Sequence, residues 1–181
     1  MYALGCYIGR GQDNIDSINL ECVKAKYNLK GVNIESVLNS YEQYLIEEGY
    51  LGESKNSRYS FYFERMVKEN SFIGKVPDTV FKEVTKVQIG KHIDNTCLEG
   101  MEEIDNQSSI LMRKILLWKD WYAEPRETIN APKELGNFLL ETFSEEELQS
   151  PFMRANLLLM IAWVTDLNNA YLGDLLPPIK G

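Results

Sequence analysis

Apolar residues recur along most of this chain at the three- and four-residue spacing of helices, not at the two-residue alternation of strands. The clearest stripe is Ile34, Val37, Leu38, Tyr41 and Leu45, with Asn33 as an N-cap and Gly49 as a stop, which predicts a helix over 34–48. Across a polar connector containing Gly52, Ser54, Asn56 and Ser57, the residues Tyr59, Tyr62, Phe63, Met66 and Val67 repeat the pattern up to Asn70. The pair reads as an antiparallel hairpin. Upstream, Ile15, Ile18, Cys22, Val23 and Leu29 keep approximate helical spacing between Asp13 and Gly31.

Further along, Pro77 opens a helix striped by Val80, Phe81 and Val84, and residues 88 to 100 show no clear period. Ile104, Ser108, Leu111, Met112, Ile115 and Trp118 predict a helix over about 101–122, closed before Pro125. Asn130 and Pro132 start another, with Leu135, Phe138, Leu139 and Phe143 on one face. Ser144 with Glu147 has the capping-box pattern, and Ser150-Pro151 restarts the chain. The segment from Phe152 to about Ala170 is apolar on nearly every side between Leu157 and Val164, as in a helix at the centre of a bundle. The segment from Gly173 to Gly181, with Pro177-Pro178, reads as an extended tail. The expectation is therefore an all-α, irregular bundle of about seven helices forming one domain over 1–181, with a short β element near the N-terminus where Gly5, Gly9 and Gly11 interrupt the pattern.

Composition narrows the function more than the fold. The 181 residues carry 19 basic and 27 acidic side chains, a net charge of −8, which argues against a nucleic-acid partner. No apolar run approaches the roughly 20 residues of a transmembrane helix, and no secretory leader precedes the first helix, so the default compartment is the cytoplasm. If a leader has been removed, the run Ala3-Leu4-Gly5-Cys6 fits a periplasmic or lipid-anchored protein instead. Cys6, Cys22 and Cys97 are an odd number at unrelated spacings and read as free thiols in the core, with a Cys6–Cys22 bridge as the alternative outside the cytoplasm.

Catalytic motifs are not evident. The early glycines do not match a dinucleotide fingerprint, no phosphate-loop lysine follows them, and one histidine leaves a single imidazole base. No cofactor and no metal is expected. The one concentrated candidate for chemistry is His92 with Cys97, followed by Glu99, Glu102, Glu103 and Asp105, which could form a thiolate pair or place carboxylates around a divalent cation.

Aromatic and acidic residues point elsewhere. Seven of the chain's 20 aromatic residues fall between Tyr41 and Phe63, too many for one helical face to bury. Tyr44, Tyr59, Phe61 and Tyr62 are accordingly candidates for a partner surface, together with the acidic cluster Glu145, Glu146 and Glu147. The functional expectation is a non-enzymatic protein acting on another protein, as an adaptor, inhibitor or immunity-type protein. The alternatives are a small-ligand or metal-binding protein or enzyme centred on His92 and Cys97, and the ectodomain of an exported bacterial protein.

Overall fold

The structure is a computed structural model that describes residues 13–87, 110–123 and 130–175. Those residues form an all-α fold: α1 (Asp13–Asn28), α2 (Ile34–Glu47), α3 (Arg58–Glu69), α4 (Asp78–Val84), α5 (Ile110–Ala123), α6 (Ala131–Thr142), α7 (Glu145–Leu148) and α8 (Pro151–Leu175). A 3-10 turn, Lys55–Ser57, leads into α3. Residues 2–12, where a short β element is expected, lie outside the described residues.

Local chemistry accounts for most boundaries. Asn33 Oδ1 accepts from the Ser36 N–H at 3.1 Å and so satisfies one of the free donors at the start of α2. At its other end Gly49 turns the chain at φ 70°, a conformation that costs a side-chain-bearing residue more. α3 ends on Asn70, at φ 46°. Ser144 and Glu147 close the expected capping box: the Ser144 N–H donates to Glu147 Oε2 at 2.8 Å, and the Glu147 N–H donates to Ser144 Oγ at 3.2 Å.

α8 is the centre of the body, packed by α1, α2, α4 and α7. Phe152, Met153, Leu157, Leu158, Met160, Ile161 and Ala162 are all fully covered, which explains why this helix is apolar on all sides from Leu157 to Ala162. It continues through Gly173 to Leu175, further than the expected end near Ala170, and the first three residues of the expected tail are therefore helical. A single glycine costs a helix about 1 kcal/mol and does not stop it; prolines first appear at Pro177.

One other expectation changes. α3 packs most extensively on α6 instead of forming its main contact with α2. Gly136 permits this: a methyl group there would sit 2.6 Å from Val67 Cγ2 and 3.1 Å from the Phe63 carbonyl oxygen, so the two helices approach closely only because the position is glycine. The helix expected over 101–122 is described from Ile110, and its earlier part lies outside the described residues.

Cys22 also differs from expectation, because it is disulfide-bonded and not a free thiol. Val23 takes the core position on this turn, 1% exposed, and Cys22 is left at the half-covered edge of α1, where a second sulfur can reach it. Cys6 and Cys97 both lie outside the described residues.

Candidate contact surface

The acidic cluster divides three ways. Glu145 turns inward to cap α3: Oε1 accepts from the Tyr59 N–H at 3.0 Å, and Oε2 accepts from the Ser60 N–H at 2.8 Å and the Ser60 hydroxyl at 2.7 Å. Ser57, the N-cap residue of α3, makes no side-chain capping bond of its own. A carboxylate from a distant helix thus supplies what the local sequence lacks, in the place where the helix dipole favours negative charge. The Gln149 side-chain amide holds Glu145 Oε1 at 2.7 Å and also donates to the Lys55 carbonyl.

Glu147 pairs with Lys114 of α5 at 2.6 Å while completing its capping box. Burial would raise its pKa, but the Lys114 hydrogen bond and the Ser144 N–H outweigh that and hold it below the usual carboxylate range. Only Glu146 of the three is exposed. As a partner surface the cluster reduces to that one side chain.

The aromatic group divides in the same way. Tyr59 and Tyr62 are fully covered, so neither offers its ring to a partner. The Tyr62 hydroxyl donates to the Ile73 carbonyl at 2.9 Å, and the Tyr59 hydroxyl donates to Glu42 Oε1 at 2.8 Å. Tyr44 is half-buried and stacked on Tyr41, with ring centroids 6.4 Å apart. Phe61 is the ring that reaches solvent, 39% exposed.

Phe61 is not loose. The Arg65 guanidinium lies 5.8 Å from its ring centroid, within cation–π range. Arg65 is itself anchored by donating to the Gly49 carbonyl at 2.9 Å and to Glu69 Oε1 at 3.3 Å. Behind the ring, the backbone of Gly52 passes so close that a Cβ on it would meet Phe61 Cβ at 3.3 Å. The outcome is an aromatic side chain held on a backbone-anchored arginine, with Glu64 exposed beside it.

A polar cluster that sequence reading missed joins α2, α3 and α8. Glu42, 8% exposed, accepts from Arg154 Nη2 at 2.7 Å and Nε at 3.1 Å as well as from Tyr59, and Arg58 Nη1 stands 3.7 Å away. Burial pushes the Glu42 carboxyl upward, but the Arg154 and Tyr59 hydrogen bonds and the two guanidinium charges outweigh it, leaving the pKa lowered. Two signals were available. Glu42 falls between Leu38 and Leu45 at i+4 and i−3, within the stripe of α2, and Arg154 is the lone charge between Pro151 and Thr165.

Beside Arg154 runs a groove of about 220 Å³ floored by Leu20, Val23, Ile34 and Leu38. Its charged rim is paired internally, Lys24 with Glu35 at 2.8 Å and Arg154 with Glu42. Among the described residues, no group of three or more His, Cys, Asp and Glu side chains is placed to hold a metal ion. His92 and Cys97 lie outside the described residues. No described helix is long and apolar enough to cross a membrane.

No protein-family model matches the chain, and comparison with curated proteins and with solved structures finds no match either.

Proposed function

We propose that this is a non-enzymatic protein that acts by contact with another protein, as an adaptor, inhibitor or immunity-type protein, through the surface centred on Phe61. The observation that carries the reading is the Phe61–Arg65 pair, a large ring exposed to solvent and held in place before any partner arrives. Aromatic and arginine side chains dominate the energetics of protein interfaces, and a side chain already ordered loses less entropy on binding. Glu64, Glu146 and a net charge of −8 favour a partner with a basic rim around an apolar pocket.

The test is quantitative affinity capture with the unaltered chain, Phe61→Ser and Arg65→Ala, from cells that make the protein. A specific partner should be lost about tenfold or more with Phe61→Ser and several-fold with Arg65→Ala, as expected for an interface anchor of about 1.4 kcal/mol or greater. A partner retained equally by all three proteins would place the contact elsewhere.

The disulfide at Cys22 favours the exported setting over the cytoplasmic one, since cytoplasmic thiols are normally kept reduced. Mass spectrometry after alkylation of the native protein, before and after reduction, checks it. Cys22 should take up the reagent only after reduction, and full labelling without reductant would restore the cytoplasmic reading.

A further inference from the structure

α5 turns two very different faces to its surroundings. Ile115 and Trp118 are buried, Trp118 meets Phe143 edge-on at 6.4 Å, and Lys114 is tied to Glu147, so the inner face anchors the helix to the body. On the outer face Ile110 is 67% and Leu117 55% exposed, and Arg113 and Asp120 are exposed between and beyond them. These four positions follow the i, i+3, i+7, i+10 course of a single helical stripe. Among the described residues, neither the Arg113 nor the Asp120 side chain enters an ion pair, although most charges around Glu42 and Glu147 are paired.

The order of charges along the stripe matters. Arg113 and Asp120 lie two turns apart, about 10.5 Å along the axis, on nearly the same face. The point midway between them falls between residues 116 and 117, next to exposed Leu117. A two-fold axis through that point lays a second copy of the helix antiparallel to the first. It sets Arg113 against the partner's Asp120 and Asp120 against the partner's Arg113, with the two Leu117 side chains meeting beside the axis. A parallel pairing would set like charges against each other. We infer that the outer face of α5 is a self-association surface, occupied by a second copy of this chain in antiparallel register.

This interface is independent of the Phe61 surface and goes beyond it. One helix pair buries less than the roughly 1,200 Å² of a standard interface, so a weak, concentration-dependent dimer is expected. Each copy carries a net charge of −8, and the measurement therefore belongs near 0.15 M salt, where screening confines that repulsion to about 8 Å.

The experiment is sedimentation equilibrium of the full chain over a concentration series extending to the highest concentration at which the chain stays in solution. The unaltered protein should shift from monomer to dimer, and Leu117→Asp should weaken the dimer about tenfold or more while circular dichroism stays the same. Arg113→Asp carries two acids on the face and Asp120→Arg two guanidinium groups, so each should fail to self-associate, whereas an equimolar mixture of the two should dimerise. Combining both substitutions in one chain should restore self-association. A monomer throughout the series, a dimer indifferent to Leu117→Asp, or variants that do not rescue each other when mixed would overturn the inference. All of these outcomes leave binding at Phe61 unaffected, so the two surfaces fail or stand separately.

Discussion

Glu145 accepts both the backbone N–H and the hydroxyl of Ser60, at 2.8 and 2.7 Å, across 85 residues of chain. This contact converts a surface acid into the N-terminal cap of α3. Replacing Glu145 with alanine should therefore cost about 1 to 2 kcal/mol in urea unfolding, while Glu146→Ala should stay within about 0.5 kcal/mol. Equal effects would contradict the division of the acidic cluster into internal and exposed members.

Glu42 supplies the second prediction. Glu42→Gln leaves the Arg154 guanidinium half-buried without its carboxylate, and the expected loss at pH 7 is about 3 kcal/mol. Tyr59→Phe removes one neutral donor to the same carboxylate and should cost about 1 kcal/mol. Both are read from denaturant midpoints with unchanged slopes.

The pH dependence follows from the same group and from Glu147. Both carboxyls have lowered pKa values in the folded state, so the unfolded chain binds their protons first as acid is added. Their stabilisation is complete above the ordinary carboxylate value of 4.5 and is lost as pH falls through their lower folded values. Unfolding free energy measured from pH 7 down to 3 should be flat at first and then decline below about 4.5, and the decline should be shallower in Glu42→Gln. An equally steep decline in that variant would remove Glu42 from the account.

Gly136 gives a packing test. Gly136→Ala normally favours a helix, yet here the added methyl meets Val67 and the Phe63 carbonyl at the crossing of α3 and α6. The clash should outweigh the propensity gain and lower stability by about 1 to 3 kcal/mol. Pairing it with Val67→Ala, which removes the nearest methyl, should recover part of the loss in a thermal melt.

The sequence was most legible where the residues deciding the structure are neighbours. The stripe of α2, the Asn33 cap, the Ser144–Glu147 capping box and the apolar α8 are all settled within a turn or two of chain, and periodicity reports them directly. The candidate surface was less legible, because composition cannot distinguish a covered ring from an exposed one. Tyr59, Phe61 and Tyr62 are near neighbours, yet only Phe61 reaches solvent, since α3 meets α6 along one face and Glu42 takes the Tyr59 hydroxyl on another. The same limit applies to Glu145 and Glu147, whose partners Ser60 and Lys114 lie 85 and 33 residues away.

The central claim is that Phe61, and not the buried tyrosines or the acidic cluster, meets the partner. A photoreactive phenylalanine analogue placed at position 61 tests it most directly, compared with the same analogue at Lys82, an exposed position on α4. Illumination in the cells that make the protein should give one discrete covalent adduct from position 61, lost when Arg65→Ala is introduced, and no corresponding adduct from position 82. The absence of any adduct at 61, or the same adduct from both positions, would contradict the account.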